Sequence, residues 1–374
     1  MNLLQPLADG IRLHEPLPWN VYDANGKLLL SSGHVLNEAR QREELLERGV
    51  YVNELEYDDY RRRHGRTRQV DTGRNPFDRW TDLHRSLGIL LRQQESDPQF
   101  IQRLIALGAE LEALVERDAD AAIFAMTRLD LGNYAIAHSL QTAIVCDIIA
   151  RRMSSDPEQR SAVVNAALTM NLSMLELQHH LSQQLEPLSP AQQEQIKAHP
   201  QRSHDRLVAL GVKDQAWLTA VLQHHESADG KGYPGGVTEI AVPAEIIHLV
   251  DMYCAMLSPR SGRQALPPNR VARDIYVITS GNTQRLAALL IKELGLYPPG
   301  TFVRLASGET AVVTQRGEQA NSPKVGVVMS VRGVKLPDPI RRNTVGPEYA
   351  IVSSVQAEDV LVQLNPAKLF SFAS

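Results

Sequence analysis

Two cysteines in 374 residues, Cys146 and Cys254, are too few for a disulfide framework. Each lies inside an apolar helical stretch, which fits buried thiols in a reducing compartment. No unbroken apolar run reaches about 18 residues, so no segment is long enough to cross a bilayer as a helix. The amino terminus also lacks the basic-then-apolar layout of a signal peptide, and the cytoplasm is the expected location. Charge of one sign is not in excess: 39 basic and 43 acidic residues leave a net charge of -4. A global field that would attract a nucleic acid polymer or an anionic membrane is thereby excluded, and an anionic ligand needs a local basic site. No repeat with a period of about 20 to 50 residues is visible, which excludes solenoid and propeller arrays.

What is present describes a globular chain, with 43% hydrophobic and 22% charged residues. The expected fold class is mainly α. Residues 1–65 read as a small α+β module, because Trp19 to Asp23 and Lys27 to Leu30 flank an Asn25-Gly26 turn. A helix from about Asn37 to Arg48 and a closing strand at Val50, Tyr51 and Val52 complete that module. Residues 66–119 read as linker and helices, following the solvated basic run Arg61 to Arg66. Residues 120–294 carry apolar stripes at helical spacing, such as Val145, Ile148 and Ile149, and form the expected helical domain. Residues 295–374 contain short β-branched runs, among them Phe302 to Leu305 and Val325 to Met329, and read as a small β module.

Polar residues that interrupt apolar faces are the informative positions. Asp251 shares a face with Ile247, Val250 and Cys254, where an isolated carboxylate carries a large desolvation cost unless paired or bound to a cation. His138 lies with Tyr134, Gln141, Val145 and Ile149, and His199 directly precedes Pro200. Beyond the apolar stretch Trp217, Leu218, Val221 and Leu222 comes the word His224-His225-Glu226-Ser227-Ala228-Asp229-Gly230-Lys231-Gly232-Tyr233-Pro234. Four histidines and an acid suit a borderline divalent metal, through neutral imidazole nitrogen and carboxylate oxygen.

The word His-His-Glu-x-x-Asp-Gly-x-Gly-Tyr-Pro resembles the signature of the HD-GYP family, bacterial metal-dependent phosphodiesterases of cyclic di-GMP. The resemblance implies a helical HD-type bundle, with His138, His199, His224, His225 and Asp251 at the matching metal-ligand places. It also implies a His-Asp pair followed by Ile-Gly-Lys, and here the chain departs. Met170 stands for the histidine, Asn171 for the aspartate, Ser173 for the glycine and Met174 for the lysine. In the family that aspartate bridges two ions, and two dications about 3.5 to 4 Å apart need a bridging anion that neutral Asn171 does not supply. The thioether of Met170 is a soft ligand, poorly matched to iron or manganese. The expected cofactor is therefore none or one divalent ion (iron, manganese or zinc), held by His199, His224 and His225, with His179-His180 as a substitute pair.

Beyond Asp251 the family's second aspartate is replaced by Cys254, while Arg260 and Arg263 survive as donors for a phosphate diester. Asp229, Gly230, Gly232, Tyr233 and Pro234 form the expected ligand- or partner-binding loop, and the implied partners are diguanylate cyclases and other signalling proteins. The expected function is that of a degenerate member acting in cyclic di-GMP signalling by protein or nucleotide binding, with little or no hydrolysis. Two alternatives stand beside it: an active metal-dependent phosphodiesterase with a reduced metal centre, and an interaction module without a nucleotide.

Overall fold

The computed structural model of the chain describes residues 76–370 apart from 129–131, 155, 262 and 361, together with 4–6, 17, 20–23, 27–36, 41 and 51–53. The Asn25-Gly26 turn, the Asn37 to Arg48 helix apart from Gln41, and the Arg61 to Arg66 run lie outside the described residues. Two units divide the chain, Met1–Thr72 and Gly73–Ser374.

In the first unit, β1 (Leu4–Pro6), β2 (Val21–Tyr22), β3 (Leu28–Leu30) and β4 (Tyr51–Asn53) form an antiparallel sheet in the order β1-β4-β2-β3. Its β2–β3 pair matches the two strands expected around the turn, with Val21 opposite Leu30. The strand β1 carries no alternation that would mark it in the sequence, and its Pro6 is tolerated because β1 is an edge.

The second unit begins with α1 (Pro76–Arg92), α2 (Phe100–Arg117), α3 (Ala119–Arg128), α4 (Tyr134–Met153), α5 (Pro157–Thr169) and α6 (Leu175–Gln183). It continues with α7 (Pro190–Ala209), α8 (Gln215–Gln223), α9 (Val242–Leu257), α10 (Pro268–Ile278) and α11 (Gly281–Leu294). Helix starts follow capping chemistry: Asn133, Asp156 and Asp214 each accept a backbone N–H of the first turn, and Ser189 forms a capping box with Gln192. Helix α4 is buried on nearly every side, as a helix apolar all round must be, and α5 and α9 pack against it.

A five-stranded antiparallel sheet follows, from β5 (Phe302–Leu305), β6 (Thr310–Gln315), β7 (Lys324–Met329), β8 (Lys335–Asn343) and β9 (Ile351–Val355), in the order β8-β7-β6-β5-β9. Strand β8 escapes sequence reading because Pro337, Pro339 and four charged residues contradict β propensity, and its place at an edge is what permits them. The sheet alternates as a half-buried surface does: Phe302, Val312 and Val328 join the helical core, while Val303, Leu305, Ala311, Val313, Val325 and Val327 form a core of their own. The sequence boundaries at 119/120 and 294/295 thus separate segments of one compact unit.

Two contacts fasten the sheet region to the helices. Phe77, Phe124 and Phe370, the last on the short helix α12 (Pro366–Phe370), meet edge to face with centroids 5.1–5.6 Å apart. Arg316 donates from Nε to Asp120 Oδ1 at 2.5 Å and from Nη1 to the Glu293 carbonyl at 2.8 Å. Both side chains of that ion pair are largely shielded from water, so Arg316→Ala is expected to lower the unfolding free energy by about 1.5–3 kcal/mol, measured by urea denaturation followed by circular dichroism.

Candidate functional site

The site is built where two helices fail to complete their hydrogen bonds. Helix α7 runs through Pro200, which has no N–H to give the Ile196 carbonyl four residues earlier. His199 Nδ1 takes that carbonyl instead, at 2.5 Å. Helix α8 stops at Gln223, one residue before the histidine pair, and its last carbonyls have no helical partner. His224 Nδ1 donates to one of them, Val221 O, at 2.6 Å. Each ring is therefore fixed in the tautomer that carries hydrogen on Nδ1 and leaves the Nε2 lone pair free.

Those two Nε2 atoms face each other at 3.0 Å. His225 closes the group, with its ring centroid 4.3 Å from that of His224 and 5.0 Å from that of His199. One ligand nitrogen from each of the three rings lies within 4.8 Å of the others. Burial, followed by the field of His224, lowers the pKa of His199 to about 3, and burial lowers that of His224 to about 4. His225 is pushed well below its ordinary value, first by burial and then by its neighbour His224. The rings are neutral at physiological pH, so two lone pairs confront each other with no proton between them. A divalent cation answers that arrangement: nitrogens sharing one ion stand about 3–3.5 Å apart, and a backbone carbonyl on the opposite ring nitrogen is the usual outer support of a metal-bound histidine. The residues fit one ion.

Asp251 is not a member of this group. Its carboxylate Oδ1 lies 2.6 Å from His138 Nε2. Burial works to raise its pKa, but the hydrogen bond and field of His138, joined by His225 and His224, hold it well below the ordinary carboxylate range. The five expected ligands thus divide into a three-histidine group and a His138–Asp251 pair that acts on it through its field. His179 and His180 on α6 stay apart: His180 is exposed, and His179 Nε2 lies 3.4 Å from Gln183 Nε2.

The departing segment lies directly against the site. Met170 is fully buried in the hydrophobic core, and Asn171 is 4% exposed. Met174 starts α6 as its cap. Ser173, in place of the family's glycine, donates from Oγ to the His199 carbonyl at 3.1 Å and accepts from Ser203 Oγ at 3.0 Å. The serine therefore pins this segment to α7.

Glu226 organises the loop that follows. Its buried carboxylate accepts from the backbone N–H groups of Gly235, Gly236 and Val237 at 2.6, 3.1 and 3.2 Å. Gly232 crosses so close to Glu226 that an added Cβ would meet its Cα at 2.4 Å, so only glycine fits there. Asp229 Oδ1 accepts from the Lys231 amide, and Gly230 adopts φ 71°. The Tyr233–Pro234 bond is cis. Tyr233 does not stand free at the loop tip: its ring stacks on His225 at 4.7 Å and forms a wall of the histidine group.

The two arginines part company. Arg260 donates from Nε and Nη2 to Tyr134 Oη at 2.9 and 2.5 Å, and Tyr134 stacks on His138 at 5.6 Å. Arg263 is exposed and bonds the Ala255 carbonyl. Tyr134, Glu226, Ser173 and His248 received no functional role from the sequence. His248 was within reach, since it precedes Asp251 by three residues on α9, and its Nδ1 donates to the His224 carbonyl at 2.8 Å.

Residues 107–276 match the HD domain family. The chain is 25% identical over 268 residues to the cyclic di-GMP phosphodiesterase PA4108 of Pseudomonas aeruginosa, across 70% of this chain and 62% of that protein. It is 25% identical over 203 residues to the cyclic di-GMP phosphodiesterase PdeB of Borreliella burgdorferi, across 53% of each. The chain thus spans between half and two thirds of the length of these relatives. A solved structure, Bd1817, an HDG"Y"P protein from Bdellovibrio bacteriovorus, aligns at 17% identity and a TM-score of 0.49 over 77% of this chain and 99% of that one. Among the described residues no helix is long and apolar enough to cross a membrane.

Two measurements check this site. The unfolded chain binds protons at histidine near pH 6.5, whereas His199 and His224 in the folded chain do so only near about 3 and about 4. Unfolded protein therefore holds more protons across that window, and the metal-free protein is expected to lose stability steadily as pH falls from about 6.5 toward 4. Denaturant titrations of chelator-treated protein at pH 7.5, 6 and 5 read this out; a flat profile would mean that the rings carry a shared proton. Glu226→Ala is expected to leave three loop N–H groups unsatisfied, at about 1–3 kcal/mol for each one that stays buried, and to raise protease cutting between Asp229 and Val237.

Proposed function

We propose, from the membership of this chain in the HD-GYP type of the HD-domain family, that it acts in cyclic di-GMP signalling by binding the nucleotide or a protein partner, with little or no hydrolysis. The carrying observation is the pairing of a three-histidine group that fits one ion with neutral Asn171 where the family has a bridging aspartate. Met170 cannot compensate, because its side chain is committed to the core. Asp251 cannot either, because its carboxylate is committed to His138.

His199, His224 and His225 would hold one divalent ion, which would supply a positive field toward a phosphodiester oxygen. The chain's own residues supply the rest. Tyr233 offers the edge of a ring already stacked on His225, a surface for one face of a base. Arg260, held by Tyr134 beside the His138–Asp251 pair, keeps its Nη1 for a phosphate. Glu226 keeps the Gly230 to Val237 loop in one shape, which makes it a surface for a signalling partner such as a diguanylate cyclase.

Neutral, preorganised imidazoles also favour a second reading, a phosphodiesterase working with a reduced, one-ion centre. Elemental analysis and a cyclic di-GMP turnover assay separate the two. The purified chain is expected to hold no more than one tightly bound ion and to turn over cyclic di-GMP negligibly, while Met170→His with Asn171→Asp raises the metal content. Robust turnover by the unaltered chain, abolished by His225→Ala, would replace the first reading with the second.

A further inference from the structure

Outside the histidine site, the first helix of the second unit carries a polar stripe beside its buried apolar face of Trp80, Leu83, Leu87 and Leu91. Arg85, Gly88 and Arg92 recur at spacings of three and four on α1, with His84 beside them. Together with Asn133 and Ile136, where α4 begins, they line a cleft of about 310 Å³, at the lower end of the size of small-molecule sites.

Three features make the cleft cationic and open. Arg92 has no carboxylate partner among the described residues; its Nη1 makes only a 3.4 Å contact with the Gly88 carbonyl. Arg85 shares Asp82 at 2.9 Å and is otherwise exposed. The amino end of α4 adds the partial positive charge of a 20-residue helix. His84 Nε2 beside them has no hydrogen-bond partner, and burial, followed by the field of Arg92, lowers the pKa of that ring, so it stands there as a neutral imidazole.

Gly88 shows why the space exists. Glycine inside a helix costs roughly 0.5–1 kcal/mol relative to alanine. Here packing does not demand it, since an added Cβ would meet its nearest neighbours, Arg92 Nη1 and Ile136, at ordinary distances of 3.5 and 3.6 Å. The missing side chain is what leaves the floor of the cleft open.

We propose that this cleft binds the phosphate group of a small phosphorylated molecule, held by the guanidinium forks of Arg92 and Arg85 at the amino end of α4. Two planar forks match the tetrahedral oxygens of phosphate better than a single carboxylate does. None of the residues that line the cleft belongs to the three-histidine group, and the proposal does not depend on the function proposed for that group.

Isothermal titration calorimetry of the full chain with pyrophosphate, at constant ionic strength and with citrate as the carboxylate control, tests the assignment. The unaltered chain is expected to bind pyrophosphate more tightly than citrate, and Arg92→Ala to bind it about tenfold more weakly, the loss of one charge-assisted contact. Gly88→Leu, which fills the floor, is expected to abolish binding while helical content and melting temperature stay at the parent's values. Should Gly88→Leu disturb folding, Arg92→Ala decides alone, since its side chain is exposed. Pyrophosphate bound equally by the parent and Arg92→Ala, no binding by the parent, or tighter binding of citrate would each overturn the proposal.

Discussion

Backbone carbonyls that lose their helical donors set up the rest of the site. Pro200 releases the Ile196 carbonyl in the middle of α7, and the end of α8 releases that of Val221. A buried carbonyl without a donor is costly, and in both cases the nearest imidazole Nδ1 supplies one. The same hydrogen bond that satisfies the backbone decides the histidine tautomer. Nε2 of each ring is left unprotonated, and the packing of α7 against α8 brings the two lone pairs to 3.0 Å. Burial then keeps the rings neutral, so the repulsion cannot be relieved by a proton at ordinary pH. The site is poised for a cation by the defects of its own helices.

Around this centre a set of hydrogen bonds holds the walls of the site. Val221, Gln223, Glu226 and His248 hold the carboxyl-terminal wall: His248 grips the His224 carbonyl, Gln223 Oε1 accepts from the Ala241 amide at 2.9 Å, and Glu226 gathers three loop amides. Helix α4 forms the opposite wall, where Arg260, Tyr134, His138 and Asp251 make a continuous chain of contacts. The Met170 to Met174 segment, with Met170 and Asn171 buried, meets α7 through Ser173. The Ser173 hydroxyl adds hydrogen bonds to the His199 carbonyl and Ser203 Oγ of α7 that a glycine cannot make, which pins this segment to α7.

Much of the fold and part of the site could be read from residue order. The apolar stripes of 120–294 became helices, and the run His224 to Pro234 marked the site because helix period gives way abruptly to turn chemistry. Strands β1 and β8 were missed because each carries proline, which only an edge position accommodates, and edge positions are not written locally. Helix α7 was legible only as far as His199, because the sequence rule that proline ends a helix was overridden by packing. The roles of Glu226, Tyr134 and Ser173 were illegible because their partners are 9 to 126 residues distant along the chain.

Residue order by itself determined the chemical inventory: which side chains are able to bind a cation and which segments are helical. Those properties follow from composition and periodicity, which are local. Tertiary structure decided how that inventory is divided. It set His199, His224 and His225 in one group, gave the Asp251 carboxylate to His138, laid the Tyr233 ring against His225, and joined Arg260 but not Arg263 to the site. A side chain's partner depends on the packing of helices far apart in sequence, and no spacing rule encodes a distance of a few ångströms between them.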